Sequence, residues 1–340
     1  MAETGLQRRA MGALAGVAIG DAMGMPTQTL PREEIARLYG RVDGFRDAAA
    51  GQPVSAGLRA GTVTDDTEQS ILLARHIIAR GGRMDQRIWA DELLAWERDT
   101  HARGVNDLLG PSTKRAIESL QRGVPVSETG RHGTTNGAAM RIVPVAVATR
   151  ATPLSGLVDA VEESCRLTHN TSEAIGAASA VAAAVSLGIE GAGLDVVFGG
   201  AIAAAAAGER RGTSASKGSI SRQIADALAA ANGQSGQAGA VAIAERFGTG
   251  VSALESVPVA FAILRLTHAD PWRSALFSAA IGDDTDTIGA IACGMAGACR
   301  GIDAIPGDAW KLVREVNSLD LEPLVSGLLR IRQQRSGPRA

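Results

Sequence analysis

Between Met11 and Gly24 the sequence reads MGALAGVAIGDAMG, and glycine returns at every fourth position: Gly12, Gly16, Gly20 and Gly24. A helix turns once every 3.6 residues, so these glycines form one stripe along one helix. Each interior Gly costs a helix about 1 kcal/mol against Ala. Such a stripe is useful only where another backbone packs very close. The rest of the chain agrees with small-residue packing. Of 340 residues 45% are hydrophobic and 41 are Gly, yet there are only 5 Phe, 4 Trp and 1 Tyr. That apolar share excludes a disordered chain. Gly without a three-residue period excludes collagen.

Helical periods dominate and strand-like alternation is rare. Helices are predicted over 11–24, 69–79, 85–97, 114–122, 154–167, 172–187, 194–207, 221–231, 237–247, 253–266, 271–281, 287–299 and 309–331. In the third of these, Trp89 and Trp96 read as core. The segment 209–221 is polar and reads as a mobile loop. No composition break marks a boundary, and no internal repeat is present. The expectation is one compact all-α domain over residues 1–332 with a polar tail over 333–340. A chain of this length buries roughly three quarters of its unfolded surface and needs no staples.

The charge balance, 34 Lys+Arg against 36 Asp+Glu, argues against a phosphate-tracking nucleic-acid partner. Cys165, Cys293 and Cys299 are odd in number and lack zinc-type spacing, which fits a reducing, cytoplasmic compartment. Apolar segments near the N-terminus and over 174–208 are interrupted by Asp21 and by Gly188, Glu190, Gly191, Gly193 and Asp195. No uninterrupted run reaches membrane length, so no membrane partner is expected.

Two acidic clusters carry the chemistry: Thr64-Asp65-Asp66-Thr67 and Asp283-Asp284-Thr285-Asp286-Thr287. Each precedes or opens an apolar helix. Capping explains either alone, since acids suit a helix start, and Asp65 with Glu68 has the spacing of a capping box. Together they raise a different issue. If the two helix starts meet, like charges about 4 Å apart repel by roughly 4 kcal/mol per pair at an effective dielectric near 20. Shared protons relieve this. So does a divalent cation, and all-oxygen donors suit Mg²⁺ or Mn²⁺. Three further segments are candidates for ligand contact. His132 to Arg141 (HGTTNGAAMR) has Gly and Asn for a tight turn. Gly110-Pro111-Ser112-Thr113 opens a helix, a ready anion site or simply a cap. Thr168-His169-Asn170 places one His before a helix, where a structural role is equally natural.

Five motifs then occur in order: GDAMG at 20–24, TDDTE at 64–68, TNGAAMR at 135–141, THN at 168–170 and GDDTDT at 282–287. This set resembles the ADP-ribosylglycohydrolase family, of the dinitrogenase-reductase-activating glycohydrolase type, over nearly the whole chain. The resemblance implies an all-helical fold with a dinuclear Mg²⁺ or Mn²⁺ cleft. It implies a hydrolase that cuts at the anomeric carbon of an ADP-ribosyl group on a protein or a small molecule. Carried over by motif, Thr64, Asp65, Asp66, Asp284, Asp286 and Thr287 hold the two cations, and Asp65 or Asp66 is the catalytic base. Gly133, Asn136 and Gly137 line the sugar pocket, Gly110, Ser112 and Thr113 approach phosphate oxygens, and His169 is a pocket histidine. Asp21 orients the cleft floor, and Asp283 caps or supports.

One position departs from the family pattern. Gln28 stands where the first motif of ADP-ribose-removing members has Glu. An amide cannot serve as a base near neutral pH. It keeps two alternatives open beside the main reading: a nucleoside N-ribohydrolase acting on a small ribonucleoside, and a non-catalytic ADP-ribose-binding relative. The oligomeric state is not readable from the sequence.

Overall fold

The chain enters its fold through α1 (Gly5–Gly24), opened by Thr4, whose hydroxyl accepts from the Gln7 N–H at 3.2 Å. The computed structural model describes residues 4–103, 110–215 and 218–335. The helices that follow are α2 (Arg32–Tyr39), α3 (Asp65–Ala79), α4 (Gln86–Ala102), α5 (Pro111–Gln121), α6 (Val126–Thr129), α7 (Gly137–Met140) and α8 (Val143–Ala148). Next come α9 (Leu154–Cys165), α10 (Ser172–Ile189), α11 (Leu194–Gly208), α12 (Ile220–Ala231), α13 (Gly236–Phe247) and α14 (Ala253–Leu266). Then α15 (Pro271–Ser278), α16 (Thr285–Arg300), α17 (Gly307–Val316) and α18 (Glu322–Gln334) close the chain. Among the described residues the only extended pairings are isolated bridges, Leu30 with Asp283, Thr135 with Ser252 and Thr171 with Thr213. The all-α, single-domain expectation is what the structure shows.

The glycine stripe has the role its spacing demands. Every residue of α1 from Ala10 to Gly24 is buried. The glycine face lies backbone to backbone on α16. A Cβ on Gly16 would stand 2.2 Å from the Cys293 carbonyl oxygen, and one on Gly20 would stand 2.0 Å from that of Gly289. Near the site, a Cβ on Gly24 would fall 2.4 Å from the Asp286 backbone. Facing glycines on α16 reciprocate: a Cβ on Gly297 would stand 1.9 Å from the Gly12 oxygen. Cα–H groups therefore face carbonyls across the pair, a weak but repeated attraction. Close backbone contact adds dispersion along the whole length.

Helix α10 is long and apolar enough to cross a membrane by composition, but all its residues except Ser172 and Leu187 are buried among the other helices. It is a core helix. Trp89 and Trp96 are buried, and the Trp96 Nε1–H donates to Glu68 at 2.7 Å.

Some expectations shift. The predicted helix over 309–331 is two helices. Ser318 adopts a left-handed φ of 51°, and Pro323 fits only the first turn of α18. Helix α18 runs on to Gln334, so the tail begins later than position 333, and 336–340 lie outside the described residues. The polar segment 209–221 is tied down where it is described. Arg211 pairs with Asp159 and Glu162, and Glu209 accepts from Ser219 and Ser221 at the start of α12. Lys217, in the same segment, lies outside the described residues.

The α1–α16 contact yields a paired test. Gly16→Ala or Gly20→Ala forces the two backbones apart and should destabilise the fold by roughly 2–3 kcal/mol, although Ala is the better helix former. Gly199→Ala, in α11 with nothing within 4 Å of its Cβ, should stabilise by up to about 1 kcal/mol. Urea unfolding of the three variants checks this. Equal stability of Gly16→Ala, Gly20→Ala and the parent chain would contradict the contact.

Candidate active site

The site forms where α3 and α16 both begin, over the last turn of α1. Asp21 in α1 organises the first of them. Its carboxylate, fully buried, accepts from the Thr64 N–H at 2.9 and 3.0 Å, from the Thr64 hydroxyl at 2.7 Å and from the Thr67 N–H at 3.1 Å. The N-terminus of α3 is thus capped by a residue of another helix. Thr64, the N-cap residue, makes no capping bond with its own side chain. The capping box expected from Asp65 and Glu68 does not form, because the helix starts one residue earlier: Thr64 is the N-cap, and the Glu68 N–H donates to the Thr64 carbonyl at 3.2 Å. Glu68 instead pairs with Arg103 and Trp96. Asp65 and Asp66 are left free for other work.

The second helix start is arranged likewise. Asp283 sits at a φ of 57°, a conformation Asp tolerates, and its backbone pairs with Leu30. Its side chain accepts from the Thr249 hydroxyl at 2.9 Å, a supporting bond at the edge of the site. Asp284, the N-cap residue of α16, makes no cap bond with its side chain and accepts instead from the Asn136 amide. Asn136 also donates to Ser256 at 3.0 Å. Thr27 and Thr285 share a hydroxyl contact of 2.9 Å that stitches the end of α1 to the start of α16.

The two starts meet. The Thr64 hydroxyl stands 3.5 Å from oxygens of both Asp66 and Asp286, and the Thr287 hydroxyl stands 3.4 Å from Asp66. Burial, chiefly, and the neighbouring acids hold Asp65, Asp66 and Asp286 well above the usual carboxylate range. Burial pushes Asp21 and Asp284 up to about 6. One oxygen of Asp66, Oδ1, is buried without a hydrogen-bond partner. Among the described residues, no trio of His, Cys, Asp and Glu side chains is already closed into a ligand cage. The acids instead border a gap between two helix ends.

A cleft of about 170 Å³ opens on this gap. Of the predicted residues, Gln28, Asp65, Gly110, Thr113, Asn136, Gly137, Asp284, Asp286 and Thr287 line it. Asp21, Thr64 and Asp66 lie buried beneath. Ser112, in the first turn of α5, is buried and does not line the cleft. Gly133 packs on the backbone of Thr168 and His169, and His169 is fully buried behind the wall made by Thr135 and Gly137. No aromatic side chain lines the cleft among the described residues. The larger cavity, about 1100 Å³ beside Ile77, Thr149 and Arg335, touches none of these acids.

Three residues of the site have no role assigned from the sequence, although Thr135 and Arg141 bound the TNGAAMR motif. Thr135 lines the cleft and is bonded to His169 at 2.9 Å. Gln69, one turn after Asp65, donates to it at 3.2 Å. Arg141 is a buried cation that donates to Gln69 at 2.7 Å and partly offsets the charge of Asp65. Its burial pushes its own pKa down to about 10. The i, i+4 spacing of Asp65 and Gln69 was a usable signal. Nothing local marked Arg141 as buried.

Residues 2–338 match the family model for ADP-ribosylglycohydrolase. YegU of Escherichia coli K12, an uncharacterized protein, is 32% identical over 328 residues, covering 96% of this chain and 98% of its own. ADP-ribosylarginine hydrolase Tri1 of Pseudomonas putida is 27% identical over 303 residues, covering 88% of this chain and 72% of its own. A solved structure described as an ADP-ribosylglycohydrolase-related protein complex superposes with a TM-score of 0.67 at 24% identity, covering 96% of this chain and 98% of its own, a likeness of fold. With the motifs, the helical architecture and the full-length match in agreement, this chain belongs to the ADP-ribosylglycohydrolase family.

Proposed function

We propose that this protein is a cytoplasmic, metal-dependent hydrolase that cleaves the glycosidic bond at the anomeric carbon of an ADP-ribosyl group, carried by a protein or by a small molecule. The observation that carries this reading is the meeting of two helix starts whose acids are released from capping. The Tri1 relative, named an ADP-ribosylarginine hydrolase, supports the substrate class.

The donor set fits two divalent cations, Mg²⁺ or Mn²⁺. Thr64, Asp65, Asp66, Asp284, Asp286 and Thr287 offer only oxygen, the choice of hard cations. Asp66 brings a buried oxygen with no partner, and the mutual repulsion of the acids calls for positive charge. When bound, such ions supply Lewis acidity toward water and toward the ribose hydroxyls. The remaining work belongs to the chain. Asp65 faces the cleft, where its carboxylate, ionised beside bound cations, is placed to take a proton from water. Asp66 sits below and supports. Asn136, fixed by Asp284 and Ser256, gives the cleft a rigid wall, and a rigidly held sugar saves entropy at the reacting carbon. The remaining carboxylates stabilise the cationic, oxocarbenium-like transition state. A cleft of about 170 Å³ is below the usual range of roughly 300–1,000 Å³ for ligand pockets, so it takes the ribosyl ring. The first turn of α5 offers a helix N-terminus beside it for phosphate.

Gln28 favours a second reading, a nucleoside N-ribohydrolase. The Gln28 amide faces Ser55 at 3.5 Å and cannot act as a base. A panel of ADP-ribosylated arginine peptide, ADP-ribose derivatives and ribonucleosides, run with Mg²⁺ or Mn²⁺ and with chelator, separates the two. Release of ADP-ribose supports the main reading, and turnover of nucleosides alone contradicts it.

Asp284→Ala and Asp286→Ala should each abolish cation binding and hydrolysis. Retention of full cation-dependent activity by either variant would remove the assignment. A stability measurement gives an independent test. In chelator, the folded state keeps protons on Asp21 and Asp284 up to about pH 6, whereas the unfolded chain releases them near pH 4. The contribution of these two groups to stability in chelator is therefore full below about pH 4 and is lost as the pH rises through about 6. Above about pH 7, Mg²⁺ or Mn²⁺ at a hundred times its Kd should restore about 2.7 kcal/mol, read as a rise in Tm. A Tm that ignores both pH in chelator and added cation would contradict the reading.

A further inference from the structure

One hydroxyl on the cleft wall has its direction set from the protein interior. Arg141 is 1% exposed, and its Nη2 donates to the Thr168 hydroxyl at 2.6 Å. A guanidinium only donates, so the Thr168 oxygen accepts. Its own proton is then available to His169 Nδ1, 2.8 Å away. Arg141 Nη2 also faces that nitrogen, at 3.4 Å. With only donors around it, Nδ1 carries no proton, and a neutral imidazole then carries its proton on Nε2. Burial, first, and the Arg141 charge hold His169 well below the ordinary imidazole range, which keeps it neutral. Its Nε2–H donates to the Thr135 hydroxyl at 2.9 Å. The Thr135 oxygen is thus an acceptor on its inner side, which leaves its proton available to the cleft that Thr135 lines.

Neither end of this chain can swing. Thr135 is held by its neighbours: the Asn136 N–H donates to the Val251 carbonyl at 2.9 Å, and the Ala253 N–H donates to that of Thr134 at 3.1 Å. The imidazole packs against Gly137, where a Cβ would stand 3.0 Å from both Cε1 and Nε2.

We propose that Thr135 is a substrate-contacting residue that donates a hydrogen bond from its hydroxyl to an acceptor oxygen of the ribosyl group, with His169 and Arg141 as positioning residues that fix this polarity. The inference rests on the glycohydrolase reading. It assigns the sugar end of the ligand to this wall because Thr135 shares the ribose-sized cleft with Asn136 and Asp284.

Calorimetric titration of ADP-ribose in the presence of Mg²⁺ tests it with three proteins. Thr135→Val, close to isosteric, should bind about five- to tenfold more weakly than the parent chain. Thr135→Ser, which keeps the hydroxyl, should bind within about twofold of it. Thr135→Val also takes the acceptor from the buried His169 Nε2–H, so its Tm should fall, while its rise in Tm with Mg²⁺ should match the parent's, which separates a lost contact from a damaged cleft. Nitrogen NMR of the parent chain supplies a second readout, independent of any variant. His169 should show the neutral tautomer with its proton on Nε2 from about pH 5 to 8. Parent-like affinity of Thr135→Val, or a proton on Nδ1 of His169, overturns the proposal. Failure of the parent chain itself to bind ADP-ribose removes the glycohydrolase reading, and this contact with it.

Discussion

The site depends on how closely α1 and α16 approach. Without side chains at Gly12, Gly16, Gly20 and Gly24, the two backbones touch along about three turns. The contact ends at the functional centre: Gly24 abuts the backbone of Asp286, and Asp21 lies one turn before it. A larger residue anywhere along the stripe would displace the start of α16 from the end of α1. The acids of α16 would then no longer face those of α3. The scarcity of aromatics follows from the same demand, since a core of closely packed helix backbones has little room for large rings.

Asp21 converts that contact into a site. An ordinary helix start uses its own Ser, Thr or Asp to satisfy the first N–H groups. Here a buried carboxylate from a neighbouring helix does so for α3, leaving Asp65 and Asp66 uncapped and facing Asp284 and Asp286. Buried carboxylates with so few hydrogen bonds are costly unless charge or protons compensate them. Arg141 offsets part of this cost, and one cation cannot balance five acids. The excess negative charge is what supports the proposal of divalent cations and a cationic transition state in this gap.

Patterns confined to one helix were legible in the sequence, and features made by distant segments were not. The period of α10, α14 and α16 showed in the spacing of small and aliphatic residues, and the stripe on α1 announced a close partner. Helix α2 was missed because only Ile35 among its eight residues is buried, which leaves almost no apolar period to read. The two acidic clusters were visible as clusters, but the capping role of Asp21 needs Thr64 brought 43 residues back along the chain. The expected pocket histidine, His169, sits behind the wall, and the cleft meets Thr135 instead. Gln28 was recognised as a departure from the family pattern, and the structure places it on the cleft. Its neighbours, Ser55 and Gln52, come from a loop that carries no motif.

The central claim is that two helix starts, brought together by glycine packing and freed from capping by Asp21, hold divalent cations between them. Anomalous diffraction from crystals grown with Mn²⁺ tests it most directly. The account predicts two manganese peaks between the Thr64–Asp66 and Asp284–Thr287 segments, ligated by oxygen alone. Crystals soaked in saturating Mn²⁺ with no peak in that gap, or with manganese only at other sites, would contradict it.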